Sequence, residues 1–211
     1  MTLIEVLVII AVVVVLVVLL LVPALNVAKR KAERIQCVNN LMQINVALKV
    51  WEGDNGDKYP MQFALTNSET MKLTGSSNAY VFWQTVSNQL STPFMLHCPA
   101  DTNSFPATNF AVGFSDANIS YFFSLDTADT YPQMILDGDD NLAVNGVRVK
   151  PGIFNLPATH SLAWTEERHG RVGNIGMADG SVQQTIGNTL NSAVVNATNG
   201  APVATYRWVI P

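Results

Sequence analysis

Charge is scarce in this chain and unevenly placed. Only 13% of its 211 residues are Asp, Glu, Lys or Arg, about half the usual share. Through Gly53 there are five bases and three acids, a net of +2; from Asp54 onward there are seven bases and thirteen acids, a net of −6. Phosphate neutralisation needs clustered cations, so nucleic-acid binding is not expected. Asn, Thr and Ser stand where charges would. Such a surface suits packing against copies of itself, and glycosylation for solubility fits as well, with acceptor sequences at Asn118-Ile-Ser120 and Asn196-Ala-Thr198.

Cysteine is nearly absent too. Cys37 and Cys98 are the only two, and their spacing excludes a Cys-rich zinc motif. A disulfide is expected, with a non-cytosolic head as its consequence; two buried free thiols are the alternative. Closing a loop of about 60 residues stabilises a fold by roughly 4 kcal/mol in the chain-entropy treatment. The sequence also lacks a phosphate-binding loop, a Ser/His/Asp arrangement at a recognisable elbow and a zincin motif. Enzymatic activity therefore has no positive support, and no cofactor is required.

What the chain has in abundance is one apolar run. From Val6 to Val22 there are 17 residues without a polar side chain. With Met1, Leu3 and Ile4 the segment is long enough to cross a bilayer, which takes about 20 residues. It is too long for the apolar region of a signal peptide, and no small-residue cleavage site follows it. A plain single-pass anchor is one reading. Thr2 and Glu5 count against it, because an intramembrane carboxylate is costly and points to function.

Helical spacing continues beyond the run. Ala24, Leu25, Ala28, Ala32, Ile35, Val38, Leu41, Met42, Ile44, Ala47, Leu48 and Trp51 keep a three-to-four repeat, predicting one helix that ends near Gly53. Pro23 and the β-branched Val12–Val15 weaken it midway, so a local helix break at Pro23 is expected inside a protein lattice. Asp54-Asn-Gly-Asp-Lys-Tyr-Pro60 marks a turn. Between Met61 and Met95 the reading is a short helix over Ala79–Leu90. Strands are expected at Ile119–Leu125, Met134–Leu136, Leu142–Val144, Val147–Val149, His160–Thr165, Asn174–Ala178, Ser181–Ile186 and Val203–Ile210, with a short helix over Asn188–Asn196. Asn145-Gly146 and Asp179-Gly180 read as two-residue hairpin turns of one kind. The expected fold is α+β: residues 1–53 as a helix, apolar to 22 and amphipathic over 24–53, packed on an antiparallel sheet head of residues 54–211.

The first residues, Thr2-Leu3-Ile4-Glu5 before the apolar run, resemble the mature N-terminus of type IV pilins and of the pseudopilins of type II secretion. Met1 stands where the family usually has Phe, and Pro23 lies one place later than its usual proline. The head is similar to pseudopilin-like proteins of Verrucomicrobia and Planctomycetes. The resemblance there rests on Cys37-Val-Asn-Asn-Leu41, Asp54-Asn-Gly-Asp57 with Tyr59-Pro60, Cys98-Pro-Ala-Asp101, Ser120-Tyr-Phe-Phe123, Pro132-Gln133, Gly138-Asp139, Gly173-Asn174, and His169 followed nine residues later by Asp179-Gly180.

The resemblance implies a short basic leader removed by a prepilin peptidase, N-methylation of residue 1, an inner-membrane stage with the head periplasmic, and assembly by a platform and its ATPase into a polymer of identical subunits. It also resolves the placement of Lys29, Arg30, Lys31 and Arg34, which alone would hold the head inside: the leader would carry the cytoplasmic charges. In such a polymer the Met1 amine of an arriving subunit neutralises the Glu5 carboxylate of a neighbour, since an unpaired buried charge is strongly unfavourable. A minor pseudopilin at a filament tip and a membrane-tethered binding module are the alternatives.

Two further groups invite chemistry. Asp137, Asp139, Asp140 and Asn141 read as an acidic turn able to hold calcium, or as a solvated turn. His169 and Asp179 read as a general base or metal pair, or as a structural hydrogen bond across the hairpin.

Overall fold

The computed structural model describes residues 2–64, 78–157, 161–201 and 205–211. Met1, His160 and Val203 lie outside that set, as does much of the region between Met61 and Met95. The chain forms a long N-terminal helix packed on an antiparallel β-sheet, an α+β fold.

Helix α1 (Leu3–Asp54) has 52 residues, roughly 78 Å at 1.5 Å per residue. Its course through Pro23 is unbroken, so the single chain has no helix break there. Proline removes one backbone donor, while the bonds of the turns before and after it hold the rod together. The Asp54–Tyr59 turn ends the helix as its composition demands. Asn55 Nδ2 donates to the Trp51 carbonyl at 2.7 Å, and Gly56 and Asp57 take φ of 69° and 57°.

Only the second half of α1 meets the head. Its buried face is Cys37, Asn40, Leu41, Ile44, Asn45, Ala47, Leu48 and Glu52. Leu25, Ile35 and Met42, from the expected stripe, are exposed, as are Val46 and Val50. Heptad-spaced Ile35 and Met42 point away from the side that Cys37, Leu41, Ile44 and Leu48 share.

Among the described residues the head carries two short helices after the stalk, α2 (Pro60–Ala64) and α3 (Ala79–Thr85), and 3-10 turns at Pro93–Leu96 and Asp116–Asn118. Its strands are β1 (Tyr121–Ser124), β2 (Ile135–Asp139), β3 (Leu142–Val144), β4 (Val147–Arg148), β5 (Gly152–Pro157), β6 (Leu162–Trp164), β7 (Val172–Met177), β8 (Val182–Ile186) and β9 (Thr205–Ile210), with α4 (Gly187–Gly200) between the last two. The main sheet runs β5-β9-β1-β2-β7-β8, every pair antiparallel; a small one runs β4-β3-β6. The C-terminal strand thus sits inside the sheet, between β5 and β1.

Alternation along β1 separates two cores. Tyr121 and Phe123 join the cluster beneath α1 with Leu41, Leu48 and Trp83; Phe122 joins the opposite cluster with Ile175, Trp208 and Leu190 of α4. In β2 the register shifts between Ile135 and Asp137. That irregularity turns both Leu136 and Asp137 toward α1.

The two hairpins differ in kind. Asn145 and Gly146 both take positive φ, 50° and 82°, and Val144 pairs with Val147, the two-residue turn that Asn-Gly favours. At the other, the Met177 N–H donates to the Ser181 carbonyl and the Gly180 N–H to the Met177 carbonyl, with Gly180 alone at φ 85°. That is a three-residue loop closed by a left-handed glycine. The Cys37–Cys98 disulfide is formed, with Cα atoms 5.4 Å apart across 61 residues. It ties α1 to the segment that follows the 3-10 turn.

Candidate functional site

The N-terminal half of α1 presents apolar side chains to its surroundings on every side. All residues from Thr2 to Ala32 are exposed, and the most apolar 18-residue window has a mean hydropathy of 3.7 with none of it buried. The helix is thus long and apolar enough to cross a membrane. Removing the Val6–Val22 side chains from water is favourable by on the order of tens of kcal/mol.

At its tip, Thr2 and Glu5 form a reciprocal cap. The Thr2 backbone N–H donates to Glu5 Oε2 at 2.6 Å, and the Glu5 N–H donates to Thr2 Oγ1 at 3.4 Å. This is the capping box of Ser/Thr followed three residues later by Glu/Gln. Thr2-Leu-Ile-Glu5 spells it in the sequence, where an anion in the first helical turn also complements the helix dipole. Glu5 therefore has a structural partner within its own chain. Its expected partner at Met1 lies outside the described residues.

The acidic run is not a turn and is not solvated. Asp137 and Asp139 lie on β2, fully buried; Asp140 and Asn141 follow at the bend into β3, also buried. Their partners draw them apart. Asn45 of α1, with its amide nitrogen turned to Asp137, donates to both carboxylate oxygens at 2.9 and 3.2 Å. Asp139 Oδ2 accepts from the Asn174 backbone N–H at 2.7 Å and from Asn174 Nδ2 at 2.9 Å. Asp140 pairs with Arg168. Asn141 Nδ2 donates to the Thr165 carbonyl at 3.4 Å. Among the described residues, no three carboxylates gather their oxygens within 4.8 Å of one another, so the run does not form the expected calcium cluster.

Arg168 organises this interior. Its Nη1 donates to the Ser120 carbonyl at 2.8 Å, and its Nη2 lies 2.5 Å from Asp101 Oδ2 and against Asp140. Ser120 Oγ donates to Asp101 Oδ2 at 2.7 Å and touches Ser104 Oγ at 2.7 Å; Ser104 Oγ meets His97 Nδ1 at 2.8 Å. Burial pushes Asp101 up, but Arg168 and the Ser120, Asn103 and Ser104 bonds outweigh it and hold the carboxyl below the usual range. Burial wins elsewhere. It lifts Asp139 to about 6 against the opposing pull of Arg168 and the Asn174 bonds. It lifts Asp140, which shares Arg168 with Asp101, and it lifts Asp137, with Asp139 adding to the effect.

Glycine makes the approach of these strands possible. A Cβ on Gly173 would lie 2.4 to 2.5 Å from the Trp164 ring, and one on Gly176 would lie 2.0 Å from the Asp137 carboxylate.

His169 and Asp179 are not partners. Asp179 Oδ1 accepts from the Ser181 N–H at 2.9 Å within the hairpin loop. His169 instead turns its Nε2 to Cys98 Sγ at 3.4 Å, while its carbonyl accepts from Arg34 Nη2 at 2.7 Å. Burial, with Arg34 and Arg168 nearby, lowers its pKa to about 4, so the imidazole is neutral at pH 7. His97 lies at the end of the 3-10 turn and bonds Ser104, not the adjacent Cys98. Of the two glycosylation acceptors, Asn118 has its amide nitrogen on the Phe105 carbonyl at 2.9 Å, with Ser120 fully buried. Asn196 is exposed on α4.

Arg168 and Asn45 carry no motif of their own, and Asn174 is marked only by the Gly173-Asn174 resemblance; the three become visible as a site only in the fold. A search of protein-family models, of curated proteins and of solved structures finds no match to this chain in any of the three.

Proposed function

We propose that the chain is the structural subunit of a type IV pilus-like filament, held in a membrane by the first half of α1 before assembly and polymerised through it afterwards. The observation that carries this reading is a helical rod with every side chain exposed from Leu3 to Val22, interrupted by one carboxylate at Glu5. Lipid and a bundle of like helices both cover such a surface. The bundle gives the acid a cationic neighbour in the Met1 amine of another copy. The disulfide-closed head and the N-terminal resemblance support the same reading, with a prepilin peptidase, an assembly platform and its ATPase as the required partners. A role as a minor subunit at the tip of a secretion pseudopilus uses the same chemistry at lower abundance.

The capping box favours a second reading, a plain membrane-tethered module, because it gives Glu5 a function without a polymer. Two substitutions separate them. Gln serves the cap as Glu does but carries no charge, whereas Ala serves neither purpose. Under the filament reading Glu5→Gln inserts in the membrane at wild-type level and loses filament yield as fully as Glu5→Ala. The tethered-module reading predicts no filament containing the chain from the wild type or either variant, measured by immunoblot of sheared surface material, whereas wild-type filament yield from Glu5→Gln would overturn the charge pairing.

A further inference from the structure

His169 takes no part in the carboxylate interior or in the assembly reading. Its position is nonetheless closely fixed. His169, Gly170 and Arg171 take φ of 50°, 65° and 64° in succession, a conformation that non-glycine residues rarely adopt. It persists only where the surroundings hold it, and the Arg34 bond to the His169 carbonyl does so from α1. The outcome is an imidazole nitrogen 3.4 Å from Cys98 Sγ, with the ligand atoms of Cys37, Cys98 and His169 all within 4.8 Å of one another.

We propose that these three residues form a thiophilic metal site of Cys2His type, suited to Zn2+, whenever the disulfide is reduced. A dithiol or phosphine supplies two electrons, and with two protons the S–S bond becomes two thiols; the metal then displaces both thiol protons to solvent. Tetrahedral zinc with Zn–S about 2.3 Å and Zn–N about 2.0 Å sets sulfur and nitrogen ligands about 3.5 Å apart, close to the spacing already present. Once the bond is broken the sulfurs need separate by only about 1.5 Å to span such an ion. Glu33 lies one turn before Cys37 on α1 and lines the same cleft of ≈ 610 Å³ as His169. Water from that cleft completes the coordination. Glu166 and Glu167 on that cleft offset the nearby Lys29, Arg30 and Arg34. The cross-link between α1 and the head thus has two chemical forms: a disulfide where conditions oxidise, a metal bridge where they reduce.

Titration of the full chain in detergent with Co2+, before and after phosphine reduction, tests this. The reduced chain is expected to bind one equivalent with a thiolate-to-cobalt absorption band, lost on adding Zn2+, while the oxidised chain shows none. His169→Ala should bind at least about tenfold more weakly. Circular dichroism of the oxidised variant checks its fold, with His169→Gln in its place if Ala does not fold. If reduction itself unfolds the chain, Zn2+ must restore the native spectrum. No cobalt–thiolate band in the reduced chain, failure of Zn2+ to restore a lost fold, metal uptake by the oxidised chain, or unchanged affinity in the His169 variant would each overturn the proposal.

Discussion

Arg168 has almost none of its surface in water and faces two carboxylates, Asp101 and Asp140. Removing one partner of such a group leaves buried charge uncompensated. Arg168→Met is therefore expected to cost the head about 3 to 5 kcal/mol, seen as a lowered denaturation midpoint. The carboxylates also set a pH dependence. Asp137, Asp139 and Asp140 bind protons more tightly in the folded head than unfolded. The stability they contribute is complete below the ordinary carboxylate pKa and is lost as pH rises through the folded value, about 6 for Asp139. Asp101 acts oppositely, its contribution falling away only in strong acid. The melting temperature of the head should thus rise as pH falls from 8 to 5, with Asp139 alone accounting for about 1 kcal/mol over that range. Asp139→Asn should flatten that slope in a thermal scan across the same range.

At the scale of elements, the long helix and most strands are legible from periodicity, because apolar spacing reports the buried face directly. The Asn145-Gly146 hairpin is legible for a more local reason: both residues accept the positive φ that the turn requires. The reading fails where distant partners override local preference. Asp137 to Asn141 look like a solvated turn because Asp is rare in strands, yet Asn45, Asn174 and Arg168 arrive from far along the chain to make burial tolerable. Strand β5 is hidden by a glycine at its start and a proline at its end, residues that an edge strand accepts. The capping box at Thr2 and Glu5 needed no tertiary information; the three-residue spacing alone displays it. Pro23 reads as a break inside a lattice, and in the single chain the helix runs through it. Pro23→Ala should accordingly leave the helical signal of the detergent-solubilised chain unchanged by circular dichroism; a clear gain of helix would show that the proline does interrupt the rod.

The whole molecule divides its stability between two regions. The head has two buried clusters, an Arg-centred polar interior and a disulfide joining the sheet domain to α1. Among the described residues the first half of α1 is exposed throughout, and it is long and apolar enough to cross a membrane. That asymmetry is the basis of the filament proposal. The most direct test is electron microscopy of material sheared from the surface of cells making the chain, with mass spectrometry of its principal band. Fibres whose main constituent is this chain are the expected result. Recovery of the chain only as a detergent-extracted monomer, with no fibre containing it, would contradict the account.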